Sequence, residues 1–353
     1  MYIDSKVNIQ EFFESKSILI TGACGTIGRG LAKQLLTYNL AGLRLLDNDD
    51  TAITELQDEL ENHNNEGILR FLIGTIRDKE RLVRAFEGID YVFHCAALKH
   101  VAIGEYNPRE VILTNVNGTE NVIEAALHNN IKKVIYTSSD KAVNPVNTMG
   151  ASKLLGEKLI VAANYVRGSK QTNFSTVRFG NVLGSRGSII RRFEKRVKKG
   201  LPLIVTDPKM TRFMMPINDA INLTLRAMVL SNGGEIFVLK MPSLILGDLI
   251  DLFLEHAKKK FEINPDIEIT GLFPGEKSYE ELMTEEELTR AIETNSMYIV
   301  LPHIKELLEK YPKEILDQRG KIKSKANTSQ LTDPISKSDL RRLLTKINLI
   351  NGS

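Results

Sequence analysis

The chain has no tryptophan, two cysteines and six histidines in 353 residues. Two thiols, Cys24 and Cys95, exclude a disulfide framework, and both fall in expected tight turns, so they read as small buried thiols. The histidines lack metal-ligand spacing, which leaves no candidate metal site. No apolar run reaches the roughly eighteen residues of a membrane span, and no signal-like segment opens the chain. The expectation is a soluble, cytoplasmic protein without membrane insertion. Charge of one sign is also missing, since 47 Lys and Arg face 44 Asp and Glu for a net charge of +3, so a nucleic-acid partner has little support. Arg191, Arg192, Lys195, Arg196, Lys198 and Lys199 form one local basic cluster, read as a solvated helix face.

What is present is a 42% apolar chain, long enough for one large domain or two unequal ones. Ser17 to Ile20 reads as a short strand, followed by Thr21, Gly22, Ala23, Cys24, Gly25, Thr26, Ile27 and Gly28. Glycines spaced by threes serve a tight turn, a close backbone approach to a pyrophosphate, and a helix amino terminus facing negative charge. Asp47, about twenty residues on at the end of the next strand, can accept hydrogen bonds from an adenosine ribose and would repel a 2′-phosphate. NAD is therefore expected over NADP, although Asn48, Asp49 and Asp50 leave open which side chain faces the ribose.

The same rhythm continues. Leu69 to Ile73 reads as a strand, Asp78 to Phe86 as a helix, and Tyr91 to His94 as a strand leading into Cys95, Ala96 and Ala97, small residues that suit either a cofactor or tight helix packing. A helix around Asn115 to Leu127 precedes a fifth strand, Lys133 to Ser138. Its carboxyl end should open onto the ligand crevice of an open α/β sheet, which places Ser139, Asp140 and Lys141 beside the nicotinamide. The turn-rich stretches at Gly180 to Gly184, Thr206 to Phe213 and Gly271 to Lys277 have the composition of substrate-facing loops. The expected fold is a Rossmann-type, doubly wound parallel α/β sheet with a smaller carboxyl-terminal substrate lobe. Residues 1–15 read as an amino-terminal extension, 16–180 as the dinucleotide-binding core with the catalytic residues, 181–315 as a mixed region completing the sheet and forming the lobe, and 316–353 as a polar extension. Within the last, Lys321 to Ser329 should be mobile or laid over a neighbouring surface, and Ser336 to Leu349 should form a short helix.

Seven motifs, TGACGTIG at 21, HCAALKHV at 94, NVNGTENVIEAA at 115, SSDKAVNPVNTMGASK at 138, RFGNVLGSRGS at 178, TDPKMTRF at 206 and PGEKSYEE at 274, carry a family likeness over roughly residues 15 to 295. The chain resembles the nucleotide-sugar 4,6-dehydratases of bacterial polysaccharide and flagellin-glycan synthesis, in the extended short-chain dehydrogenase superfamily. It looks like a stand-alone soluble form, without the membrane spans of the large members. The resemblance implies UDP-N-acetylglucosamine as substrate. It also implies oxidation at C4, loss of water across C5 and C6, and hydride return to C6 from a tightly bound cofactor regenerated each turnover. A homo-oligomer is the implied assembly.

Carried over by motif, Lys141 would be the base at C5, Asp140 the acid for the C6 oxygen, and Lys153 the holder of the nicotinamide ribose. Relatives often carry tyrosine four residues before that lysine. Here the position is Met149, which cannot accept a proton, so Ser139, a water chain or Asp140 must take the C4 hydroxyl proton. A related branch also has methionine there and keeps the C5 configuration. Thr75 stands where aspartate is common, which shifts adenine recognition toward the backbone near Ile76. Lys99, Asn181, Arg212 and Glu276 are the expected substrate contacts, with a structural salt bridge as the competing reading of Arg212. The same reaction on a GDP-linked N-acetylhexosamine, a C5-inverting dehydratase, a 4-epimerase and a non-catalytic nucleotide-binding protein are the alternatives.

Overall fold

Strands that are apolar at consecutive positions are covered on both faces. Ser17–Thr21, Tyr91–His94 and Lys133–Thr137 each bury all or nearly all of their residues, so they must lie inside a two-sided sheet. The structure, a computed structural model, describes residues 8–61, 67–185, 187–322 and 328–350. In chain order the strands are β1 (Ser17–Thr21), β2 (Gly42–Asp47), β3 (Leu69–Ile73), β4 (Tyr91–His94), β5 (Lys133–Thr137), β6 (Asn173–Arg178), β7 (Asn181–Val182), β8 (Leu203–Val205), β9 (Thr211–Met215), β10 (Ile236–Leu239), β11 (Ser243–Ile245), β12 (Ile267–Ile269), β13 (Ala291–Glu293) and β14 (Met297–Val300).

Nine of them form one sheet in the order β13-β14-β10-β6-β5-β4-β1-β2-β3. Pairing is parallel from β3 across to β10, and the last two pairings, β10 with β14 and β14 with the edge strand β13, are antiparallel. This is the α/β Rossmann-type fold. Strand order reverses between β1 and β4, which opens a crevice at their carboxyl ends. Apolar layers cover both faces of the sheet. The smaller lobe has a separate core around Phe193, Leu203, Phe253, Leu340 and Leu344, under β11-β9-β7 and β12-β8.

Several local expectations are modified. The helix expected around Asn115 begins earlier, as a wide turn over Ile112–Asn117 that continues into Gly118–His128. That turn points Asn115 inward, where its Oδ1 accepts from Leu98 N at 2.8 Å and its Nδ2 donates to Leu98 O and Ser152 Oγ, each at 2.9 Å. At the amino end, Phe13 is buried against Tyr38, Tyr91 and Phe93. Part of the polar stretch from Lys321, residues 323–327, lies outside the described residues. Just beyond it Ser329 is buried: its N–H donates to Glu280 O at 2.8 Å, and its Oγ accepts from Glu280 N at 2.9 Å. The terminal helix Lys337–Lys346 then buries Leu340 and Leu344 in the lobe. Among the described residues, no helix is long and apolar enough to cross a membrane.

A buried ion cluster ties the lobe loops to the sheet. Arg178, at the end of β6, reaches Glu157 Oε1 at 3.0 Å and Oε2 at 2.5 Å, then Glu287 Oε2 at 2.8 Å and Oε1 at 2.9 Å, and Leu282 O at 2.8 Å. Burial alone would raise the Glu287 carboxyl, but Arg178 and the Thr284 N–H outweigh it and hold it below the usual range. A carboxylate held low stabilises the fold above its unfolded pKa, and that contribution fades as pH falls through the folded value. Arg178→Met should therefore cost about 3–5 kcal/mol, because two carboxylates stay buried without their cation. Thermal melts across pH check this: the variant should melt well below the parent at neutral pH, with the gap narrowing in acid.

Candidate active site

The cleft of about 1570 Å³ lies over the switch point and runs from the glycine loop to the lobe. Gly22 has φ of +67°, and a Cβ there would sit 2.6 Å from Ala96 N. At Gly28 a Cβ would lie 2.3 Å from Gly22 O. The loop after β4 thus rests directly on the glycine loop, and the tight turn that this close backbone packing requires lines the cleft ahead of the helix Thr26–Leu35, an arrangement that suits a pyrophosphate. Gly22, Cys24, Gly25, Thr26, Ile27 and Gly28 line the cleft there, with Ala96 and Ala97 opposite. Thr21 lies just beneath and braces the floor. His94 Nδ1 sits 2.8 Å from Thr21 Oγ1 and Nε2 sits 3.1 Å from Thr119 Oγ1, which itself donates to Asn115 O at 2.7 Å. Nε2 must then be the protonated nitrogen and Nδ1 the acceptor. Burial, with Lys153 nearby, pushes the His94 pKa down to about 3 and keeps the ring neutral.

Asp47 lines the cleft at the end of β2, with Oδ2 accepting from Cys24 N at 2.9 Å and Oδ1 from Asn48 N at 2.9 Å. Asp49 is engaged differently, as the cap that accepts from Ala52 N at 2.9 Å. Thr75 and Ile76 line the far end, where Ile76 O already accepts from Asn121 Nδ2 at 3.0 Å. Cys24 is buried, whereas Cys95 is only partly so and lines the cleft, which corrects the expectation of two buried thiols. Burial raises the Cys95 thiol to about 12, so it stays protonated. The basic helix Ile189–Val197 is also only partly the solvated face expected, because Arg192 and Arg196 line the cleft.

Beyond β5 the chain brings most of the expected catalytic residues to the cleft wall. Helix Thr148–Val166 carries Met149 and, one turn on, Lys153, whose Nζ donates to Thr137 O at 2.8 Å and lies 4.7 Å from the centre of the Tyr136 ring. Burial lowers the Lys153 pKa to about 8. Ser139 Oγ donates to Asp140 Oδ1 at 2.7 Å, and Lys141 Nζ reaches the same oxygen at 3.0 Å. Ser139, Lys141, Met149 and Lys153 line the cleft, but Asp140 does not: it is 0% exposed, and its Oδ2 is buried against Gly180 with no hydrogen-bond partner.

One group escaped the sequence reading. Glu280, from the PGEKSYEE segment, lines the cleft with Oε1 3.3 Å from Lys141 Nζ and 3.7 Å from Arg212 Nε. Burial and the Asp140 charge raise its pKa. Burial works the other way on Lys141, but Asp140 and Glu280 outweigh it and raise the amine. Arg212 lines the cleft too, yet its donors go to Thr211 O at 2.8 Å, Lys277 O at 2.8 Å and Ser278 O at 3.2 Å, with Glu276 at 3.7 Å. It clamps the 274–281 loop onto the cleft wall, which favours the structural reading of this arginine. Asn181 and Glu276 line the cleft beside it, and Lys99 lines the outer wall near His100. The signal for Glu280 was its motif, but only the folded contact selects it over Glu276 and Glu281. Among the described residues, no group of His, Cys, Asp and Glu could hold a metal ion.

A family model described as "Polysaccharide biosynthesis protein" matches residues 18–302. The chain belongs to that family. A UDP-N-acetylglucosamine 4,6-dehydratase (inverting) of Campylobacter jejuni is 38% identical over 346 residues, covering 96% of this chain and 99% of that one. A UDP-glucose 4-epimerase of Rickettsia rickettsii is 35% identical over 343 residues, covering 96% and 98%. Among solved structures, Pen from Bacillus thuringiensis aligns with a TM-score of 0.88 at 43% identity, covering 95% of this chain and 98% of that chain.

In this member of the polysaccharide biosynthesis family, the contact between Gly22 and Ala96 can be tested alone. Gly22→Ala forces a side chain into a left-handed position with backbone 2.6 Å away. It should cost about 1–3 kcal/mol in a thermal melt and weaken dinucleotide binding in calorimetry by at least about tenfold.

Proposed function

We propose that the protein is an NAD-dependent nucleotide-sugar 4,6-dehydratase acting on UDP-N-acetylglucosamine. The observation that carries the reading is a half-buried amine, Lys141, in contact with the carboxylates of Asp140 and Glu280 and lining the same cleft as the glycine loop. Oxidation at C4 alone has no use for such a group, whereas removing a C5 proton and expelling a C6 hydroxyl requires one. The carboxylate of Asp47 at the ribose end supports NAD over NADP.

NAD, held by the glycine loop at 22–28, Asp47 and Lys153, would supply the hydride acceptor and donor that oxidation at C4 and reduction at C6 require. Lys153, held by Thr137 O, orients the ribose and places positive charge near the developing C4 oxyanion. With Met149 unable to accept a proton, Ser139 receives the C4 hydroxyl proton and hands it to Asp140, 2.7 Å behind it. Asp140 as the acid for the C6 oxygen, the role carried over from the resembled family, sits poorly with a carboxylate out of the cleft. Lys141, as the neutral amine, takes the proton from C5. The product is UDP-2-acetamido-2,6-dideoxy-hexos-4-ulose, and the cofactor stays bound through the cycle. The resembled methionine branch favours retention at C5, and the name of the Campylobacter jejuni relative carries inversion. As in the resembled family, the working form is a homo-oligomer.

A second reading, 4-epimerisation, is favoured by the Rickettsia relative's name. Mass decides between them, because a dehydratase product is lighter by one water and an epimerase product is not. Purified protein with UDP-N-acetylglucosamine in deuterated water should give the lighter product with deuterium at C5, and coupling constants report the C5 configuration. Lys141→Ala should retain NAD but lower product formation by at least about 100-fold. An unchanged product mass from the parent enzyme would remove the reading.

A further inference from the structure

We propose that Glu280 is the general acid of the elimination, charged by the Lys141 ammonium and delivering its proton to the departing C6 hydroxyl. This rests on the dehydratase reading and supplies the step that reading leaves without an agent. Both carboxylates on Lys141 are buried, but Glu280 belongs to the cleft lining and Asp140 does not. The groups facing Glu280 are Asp140, Lys141 and Arg212, with Glu276 on the far side of Arg212. Its backbone is fixed on both sides by Ser329, so the carboxylate is presented by a rigid loop.

The pair also answers a difficulty with Lys141. Asp140 and Glu280 favour the ammonium form, which cannot take a proton from carbon. Transfer across the 3.3 Å contact gives a neutral amine and a neutral carboxylic acid, the base and the acid the elimination needs. Substrate entry expels water and favours this uncharged pair.

The protons balance. The C4 hydroxyl proton passes through Ser139 to Asp140. The amine of Lys141 then takes the C5 proton as the C5–C6 double bond forms and the C6–O bond breaks, and Glu280 gives its proton to that oxygen to release water. Hydride returns to C6 and Lys141 returns a proton to C5. Asp140 finally passes its proton to Lys141 over their 3.0 Å contact, and the resting charges are restored.

Glu280→Gln keeps the shape and cannot ionise, and Glu280→Asp keeps an acid. With the parent enzyme making the lighter product, Glu280→Gln should lose about 100-fold or more in kcat with KM little changed, and reduced nicotinamide should build up on mixing with substrate. Glu280→Asp should recover at least about tenfold of that loss. In the parent, kcat/KM should be bell-shaped, since only the singly protonated pair works, with its acid limb above the usual carboxylate range and missing from the residual activity of Glu280→Gln. Infrared titration of the substrate-free enzyme should show the same carboxyl, absent in Glu280→Gln. A Glu280→Gln enzyme within about threefold of parental kcat, a loss confined to KM, or Glu280→Asp no better than Glu280→Gln would each overturn the assignment. A parent enzyme that removes no water would instead refute the underlying reading.

Discussion

An amine drawn partly out of water keeps its charge more readily when carboxylates share the space, and the surroundings of Lys141 are built around that constraint. Lys141 is supplied by the turn after β5, and its neighbour Asp140 comes with it in sequence. The second carboxylate arrives from the 274–281 loop, which Arg212 on β9 fastens through carbonyls of its own chain. The charge set is thus assembled only when the lobe is closed on the sheet. Folding of the lobe and tuning of the amine are one event.

The same dependence appears a few residues further on. Leu282 O and Glu287, immediately after that loop, are held by Arg178 at the end of β6, and Glu157 on the Lys153 helix shares the same guanidinium. A single arginine therefore fixes the base of the helix that presents Lys153 and the root of the loop that presents Glu280. Replacing such a cluster with apolar side chains could preserve stability. It would not preserve the register between two active-site walls that no backbone ladder joins.

Local patterns made the first half of this architecture legible. Apolar runs gave β1 to β5, the triple-glycine spacing gave the tight turn after β1, and the place of Asp47 at the end of β2 followed from its distance past the glycines. These features depend on residues near each other in the chain. Glu280 and Arg178 depend on contacts across more than a hundred residues, and neither a carboxylate in a polar loop nor an arginine at a strand end announces its partner. For the same reason Arg212 read as a substrate contact, since its chemistry suits that role, while its bonds to the carbonyls of Thr211, Lys277 and Ser278 exist only in the fold. The burial of Asp140 was equally hidden, because adjacent Asp140 and Lys141 look alike in sequence while the turn sends one side chain inward and the other to the cleft.

That inward turn bears on Met149. A tyrosine at this position would bring its own hydroxyl to the C4 oxygen, and a thioether brings none. Ser139 is a cleft-lining hydroxyl that donates to a carboxylate, and a serine is a poor base unless something behind it accepts its proton. Asp140 is behind it, with Oδ1 on Ser139 and Lys141 and Oδ2 without a partner. The position that makes Asp140 a weak candidate for acid at C6 makes it a suitable proton store for C4. On the dehydratase reading proposed above, that store stands in for the missing tyrosine, and the acid at C6 falls to a second carboxylate, on the cleft side of Lys141.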